Sequence, residues 1–149
     1  MAATRGRIRA ISVSKRKGTP KGNVSEADLE TDHGVVGDAH AGSGHRQVSL
    51  LAGEAIDALR RNGVDVAPGD FAENLTVESL DLSAVSVGSK LRAGETAELE
   101  VTQRGKQCHG RCAIFEAIGD CIMPREGLFA RVTRSGHIKV GDIMEVSDD

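Results

Sequence analysis

The sequence predicts a mostly β fold: a barrel or sandwich with a few short peripheral helices. Three observations point there. Short apolar stretches alternate with turn segments along a chain that holds 18 glycines in 149 residues, the spacing expected of all-β domains. Gly-Asp occurs at 37–38, 69–70, 119–120 and 141–142; glycine supplies positive φ and aspartate bonds its own backbone, so each pair predicts a turn. Long runs of helical periodicity are scarce.

The predicted strands are Arg7–Val13, Gln47–Leu51, Asn74–Val77, Ala97–Gln103, Phe129–Thr133 and Ile143–Val146. The clearest is Ala97–Gln103, where Ala97, Leu99 and Val101 alternate with Glu98, Glu100 and Thr102, the period of a half-buried strand. Val87–Leu91 (VGSKL) and Val140–Met144 (VGDIM) look alike and predict two equivalent barrel turns. A helix is expected over Ala52–Asn62. Ala52, Ala55, Ile56 and Leu59 share one face, Glu54 lies early, Arg60 and Arg61 lie late, and Gly63 follows, in keeping with the helix dipole and a glycine stop. A shorter helix is predicted from Cys108 to Ile118, closed by Gly119; on it Cys108 and Cys112 would share a face.

Length predicts one domain over residues 1–149, with a core large enough to dispense with disulfide staples. The tail Ser147–Asp149 is expected to fray. No apolar run is long enough to span a bilayer, and the N-terminus lacks a signal-peptide pattern. These features, with three cysteines crowded into one segment, predict a cytoplasmic protein with reduced thiols. A net charge of −3 argues against a nucleic-acid partner. Three phenylalanines and no Trp or Tyr leave no stacking platform for single strands. Strands with one exposed face leave room for a homodimer. The run Lys15-Arg16-Lys17 with Lys21 is expected to be a solvated turn, though its Gly18, Pro20 and Gly22 make a loop that could fold over a ligand.

The chemistry concentrates in Gly105–Val132, GKQCHGRCAIFEAIGDCIMPREGLFARV, which holds Cys108, Cys112 and Cys121 beside Lys106, His109, Arg111, Arg125 and Arg131. Nearby cations lower a thiol's pKa, and the thiolate is the reactive form. Cys121 reads equally well as a small buried hydrophobe. Cys108 and Cys112, separated by polar His109-Gly110-Arg111, point to a functional role for at least one of the pair. Zinc is the rival, with His33, His40 or His45 completing the ligands, but the usual two close cysteine pairs are absent. A thioredoxin-like motif has two intervening residues rather than three.

A second cluster is Asp32–Leu51, DHGVVGDAHAGSGHRQVSLL, where His33, His40, His45, Asp38 and Arg46 are interleaved with glycines whose amides can cradle an anion. A third is Pro68–Thr76, PGDFAENLT; there Glu73 and Asn74 either orient a ligand or cap a strand.

Together these stretches, in this order, resemble the MOSC family, named for the C-terminal domain of molybdenum-cofactor sulfurase, and its small stand-alone bacterial members in particular. The resemblance runs from about residue 8 to 146. It implies a barrel-like fold associated with the molybdenum cofactor (molybdopterin). Family members are thought to bind the cofactor, to carry sulfur to it, or to use it in reducing N-hydroxylated compounds. It also implies a cysteine that ligates metal or sulfur. Arg111-Cys112-Ala113-Ile114 matches the local pattern best, and Cys108 competes. Arg46, Lys106, Arg125 and Arg131 are candidates for the cofactor's phosphate, because Arg matches phosphate oxygens in a fork. His40, His45, His109 and Arg111 are candidates to line the same site. The aminotransferase-like domain of the full sulfurases has no counterpart here, so pyridoxal phosphate is not expected; sulfur or finished cofactor would come from a partner, such as a sulfur-donor protein. The other class is a non-catalytic carrier of cofactor or zinc.

Overall fold

In the computed structural model, the alternation at Ala97–Gln103 becomes strand β8 (Ala97–Arg104), with Ala97, Leu99 and Val101 fully buried. The structure describes residues 3–17, 19–44, 46–105, 122 and 126–147. The other strands are β1 (Arg5–Val13), β2 (Gly22–Val24), β3 (Glu26–Glu30), β4 (Gly34–Val35), β5 (Val48–Ala52), β6 (Leu75–Glu78), β7 (Lys90–Ala93), β9 (Leu128–Arg134), β10 (Gly136–Lys139) and β11 (Ile143–Ser147). The α-helix among the described residues is α1 (Gly53–Arg61), and a 3-10 turn covers Leu82–Ala84. Each of the six predicted strands lies within two residues of its observed limits. The predicted helix Cys108–Ile118 lies outside the described residues.

The main sheet runs β11-β7-β8-β9-β5-β6-β1-β2, and β11 also pairs with β1. That extra pairing closes β1, β11, β7, β8, β9, β5 and β6 into a seven-stranded barrel. β2 hangs from β1, and β10, β3 and β4 form a small separate sheet. An odd ring cannot be antiparallel throughout, because strand direction must return to its start. The parallel pair is β5 with β6, at Leu50↔Leu75 and Ala52↔Val77. Parallel neighbours need a crossover rather than a hairpin, and here it is α1 followed by residues 62–74. The third sequence cluster therefore sits on the crossover.

Inward positions of the ring fill the barrel. Ile8, Ile11, Val48, Leu50, Leu75, Val77, Leu91, Leu99, Leu128, Val132 and Met144 form one buried cluster. Each large side chain is worth roughly 1.5–3 kcal/mol relative to exposure. A register shift between Ile8 and Ala10 lets both Ile8 and Ile11 face inward while Ser12 faces out. A second cluster lies outside the barrel wall, where Leu51, Ile56, Val66, Phe71, Ala72, Ile122 and Phe129 pack with Ala55, Leu59 and Val64. Ala55, Ile56 and Leu59 are the face expected of the helix. Ala52, expected to begin it, ends β5 instead and is the residue before the first turn. The Arg9 guanidinium ties α1 to β1 through two 3.0 Å bonds to Asp57.

The two VGxxx turns precede β7 and β11, which are hydrogen-bonded neighbours at Leu91↔Val146 and Ala93↔Met144. Gly88 and Gly141 sit at nearly the same φ, 94° and 97°, but because β7 and β11 are antiparallel the two turns lie at opposite ends of the barrel. Among the described residues no helix is long and apolar enough to cross a membrane.

On the small sheet, His137 lies between Asp28 (2.7 Å from Nδ1) and Glu26 (2.6 Å from Nε2). These hydrogen bonds raise the His137 pKa above its ordinary 6.5. Any stability that this raised pKa confers is present below the ordinary value and lost as pH rises through the folded value. A Glu26→Gln/Asp28→Asn variant is expected to bring the His137 titration, followed by NMR, back toward 6.5; an unmoved midpoint would refute the pairing.

Candidate functional site

With Val48, Leu50, Leu75 and Val77 inside the barrel, strand alternation puts Ser49, Asn74 and Thr76 on its outer face. These polar residues, with Ser12, are nonetheless buried, because the crossover folds back over them. Their hydrogen bonds are made internally, as burial requires. The Asn74 side chain receives the Ser49 amide (3.0 Å) and hydroxyl (3.2 Å) and donates to the Ser12 carbonyl (3.1 Å), joining β6, β5 and β1. Glu73, 0% exposed, accepts from the Gly69 amide (2.9 Å), the Phe71 amide (3.2 Å) and the Thr76 hydroxyl (2.9 Å). Burial raises the Glu73 pKa despite these donors. Gly69, at φ 96°, leans against the chain at Lys21: an added Cβ would lie 2.3 Å from the Lys21 carbonyl oxygen. Glycine is required there on both counts.

The Lys21 amide donates to the Gly69 carbonyl at 2.8 Å, which carries the Lys21 side chain inward. The expectation of a solvated turn holds for Lys15, Arg16 and Lys17, which are partly or fully exposed. It fails for Lys21, whose side chain is 0% exposed. The reason is a built pocket for its ammonium: Asp38 Oδ1 at 2.8 Å, Ser14 Oγ at 3.0 Å and His40 Nδ1 at 3.0 Å. Asp38, also 0% exposed in its side chain, further accepts from the Ser14 amide (3.0 Å) and the His40 amide (3.1 Å). Burial alone would raise the Asp38 pKa, but bonds from Lys21, Asn74 and Ser14 outweigh it and hold the carboxyl below its ordinary value. Lys21 therefore links the Asp38–His40 loop to the crossover, through its ammonium to Asp38 and its amide to Gly69, and two of the three sequence clusters join in one hydrogen-bonded unit.

The remaining candidates fall on the same outer wall or outside the described residues. Arg46 places its guanidinium 5.3 Å from the centre of the Phe129 ring and donates to Gln103 at 3.1 Å; among the described residues it has no acidic partner. Arg131 faces outward on β9, as alternation predicts, and meets Glu100 at 3.2 Å and Asp32 at 3.7 Å. His45, Lys106, Cys108, His109, Arg111, Cys112, Cys121 and Arg125 lie outside the described residues. Both flanks of the cysteine segment are described. The Gly105 amide donates to the Gly127 carbonyl at 2.7 Å, and Ile122 is buried with Leu51, Phe71 and Phe129. Those flanks belong to the wall that carries Ser49 and Asn74. Among the described residues no group of three His, Cys, Asp or Glu side chains is arranged to hold a metal. A cavity of about 740 Å³ opens beside α1, near Ala52, Leu82 and Arg104. It lies at the opposite end of β5 and β6 from the Lys21–Asp38–His40 unit.

Sequence reasoning missed Ser12 and Ser49, and weighed Lys21 chiefly as part of a solvated turn. Only the glycines around Lys21 hinted at a turn folding inward. The Ser12 and Ser49 hydroxyls sit where strand alternation makes polar residues look solvent-facing.

The MOSC domain family model matches residues 37–145, from the Gly37 turn beside Asp38 through β11. This chain belongs to the MOSC domain family. The match takes in the crossover, both flanks of the cysteine segment and the Asp38–His40 loop. The MOSC domain described here is also similar in fold to solved structures. The YuaD protein from Bacillus subtilis superposes with a TM-score of 0.77 at 19% identity, over 95% of each chain. YiiM from Geobacillus stearothermophilus gives 0.72 at 21% identity, over 96% of this chain and 75% of that one. YiiM from Escherichia coli gives 0.67 at 22%, over 96% and 70%. At these identities the likeness establishes the fold. No curated protein matches this MOSC domain in sequence.

Proposed function

We propose that this MOSC domain binds the molybdenum cofactor and acts in sulfur transfer to it, in its maturation, or in small-molecule reduction with it. In this reading Cys112 or Cys108 works as a thiolate or persulfide. The observation that carries the reading is the common wall: the family's match spans it, the buried polar unit of Lys21, Asp38, His40 and Asn74 is built on it, and both flanks of the cysteine segment are tied to it.

The residues present suit a ligand with a phosphate and soft-metal chemistry. Arg46, without an acidic partner among the described residues, offers a guanidinium fork. Lys106 and Arg125 would add charge for the phosphate, while Arg131 would have to leave Glu100 and Asp32 to contribute. Thiolates suit soft metal centres, and Lys106 and Arg111 would keep a neighbouring thiol ionised. His40, His45 and His109 would line the site. When bound, the cofactor supplies a redox-active molybdenum centre; the chain's own part is to hold its anionic groups and offer sulfur. A partner protein would supply the sulfur or the finished cofactor.

The test is metal and pterin analysis of protein purified anaerobically from a host that makes the cofactor, beside a Cys108→Ser/Cys112→Ser variant. Molybdenum and pterin in near-equal amounts support the reading. The double variant is expected to fold and to lose activity; full retention would remove the cysteine role. Stoichiometric cofactor without turnover would favour a carrier, and zinc without pterin a structural metal site.

A further inference from the structure

Arg46 reaches across the outer face of β9. It leads into β5, which pairs with β9 at Val48↔Ala130, and its side chain meets Gln103 on β8, the strand on the other side of β9. Gln103 stands opposite Phe129 in that ladder, and the Arg46 guanidinium lies over the Phe129 ring, 5.3 Å from its centre. The phenylalanine is buried and packed into the second cluster, so it is a fixed floor that attracts the cation through its π face. The Gln103 amide is oriented by its other bond. Its NH2 donates to the Gly105 carbonyl at 2.7 Å, so its oxygen is the atom that faces Arg46 and accepts from Nε at 3.1 Å. A guanidinium has five N–H donors in a rigid fork. With the Nε–H taken, the four on the two terminal nitrogens remain, and among the described residues they have no partner. Arg46 is exposed, so this edge is open to a ligand.

We infer that Gln103 is a positioning residue that presents Arg46 end-on to a single oxyanion with two oxygens on one atom, such as a phosphate monoester. The side-on approach, through Nε and one terminal nitrogen, is closed by Gln103. One face of the fork is closed by Phe129. The end-on edge is left, and its two parallel N–H groups match two oxygens of a tetrahedral anion. A monatomic anion has no second oxygen to offer, and a lysine in place of Arg46 has no fork. Arg131 does not duplicate the site. It lies two residues along the same face of β9, but Glu100 and Asp32 already hold it. The inference rests on the cofactor reading above for the identity of the anion. It deepens that reading by naming the edge of Arg46 that receives the anion and the residue that sets this edge.

Side-chain proton–nitrogen spectra of the full chain, without cofactor, test this with inorganic phosphate as the probe and chloride at matched ionic strength as the control. In the wild type, phosphate is expected to shift the terminal N–H signals of Arg46 along a saturating curve while the Nε–H stays bonded to Gln103. Equal responses to the two anions, or release of the Nε–H on adding phosphate, would overturn the end-on assignment. In Gln103→Met, which keeps the side-chain length without the acceptor, phosphate affinity should fall roughly threefold to tenfold, the effect of one lost hydrogen bond. Arg46→Lys should bind phosphate no better than that variant. A Gln103→Met protein that melts lower but keeps its phosphate affinity would assign Gln103 a structural role and overturn the proposal. Should that variant not fold, the unaltered protein still decides. Its Arg46 Nε–H should exchange with water more slowly than that of Arg16, an exposed arginine with no side-chain bond among the described residues, and equal rates would remove the positioning bond. None of these readouts involves the cofactor, so the positioning can fail while the cofactor reading stands, and the reverse.

Discussion

Lys21→Met should cost the fold about 3–5 kcal/mol, because it removes one half of a fully buried ion pair and leaves the Asp38 carboxylate without its counter-charge. Asp38 and Ser14 lose a donor at once, and His40 Nδ1 loses its contact with the ammonium. The Ser14 and His40 amide bonds to Asp38 persist, which places the expectation at the lower end of that range. For a chain of this size the melting temperature should fall by roughly 10 °C. Adding Asp38→Asn should recover part of the loss, since the uncompensated charge is then gone. A double variant no better than the single would mean that lost packing, not charge, dominates. The pH signature is separate. The folded Asp38 pKa lies below its ordinary value, so its contribution is present above the ordinary value and lost as pH falls through the folded one. Lys21→Met should weaken that acid dependence, as read from urea titrations at several pH values.

Glu73→Ala is expected to be comparably damaging, by a different route. The Gly69 and Phe71 amides and the Thr76 hydroxyl all point at the Glu73 carboxyl in a fully buried setting. Each unsatisfied buried donor costs about 1–3 kcal/mol, so the loss should be at least about 3 kcal/mol unless water enters the space. Glu73→Gln keeps one acceptor oxygen and should cost less; equal losses for the two variants would argue that the hydrogen bonds are not what the side chain contributes. Here the proton linkage has the opposite sign. The folded Glu73 pKa is raised by burial, so its contribution is fully present below the unfolded value and is lost as pH rises through the folded one. In Glu73→Gln that part of the pH dependence should vanish, while the Asp38 part remains.

The barrel was legible wherever one face of a strand is buried and the other wet. Ala97–Gln103 declared itself because Glu98 and Glu100 alternate with Leu99 and Val101. β7 was hidden inside a turn motif, since Lys90-Leu91-Arg92-Ala93 is too short to show a period. β2, β3, β4 and β10 are short, and their strand pairing comes from the tertiary fold, which alternation cannot report. The same limit applies to the site. Glycine- and histidine-rich loops drew attention to Asp38 and His40, and the turn at Pro68 drew attention to Glu73 and Asn74. Lys21 was read chiefly as solvated because a lysine near other cations and glycines looks so. Only the crossover, which brings Gly69 against the Lys21 backbone, turns that side chain inward. Local patterns carry which residues are polar; the topology decides which of them are buried together.

The pairing of β1 with β11, at Arg5↔Glu145 and Arg7↔Ile143, has a bearing on how the chain reaches its fold. During synthesis β1 emerges first and can pair with β6 once the crossover is made; β2 covers the Ile11–Val13 end of its other edge, but the Arg5–Arg7 end stays open until β11 appears. For that interval the growing barrel is an unclosed sheet with bare amides and carbonyls along a strand, the form most prone to stick to another copy of itself. Closure between strands so far apart in sequence is also the slow kind of contact. Aggregation during expression should therefore track variants that weaken β11 more closely than variants that weaken α1.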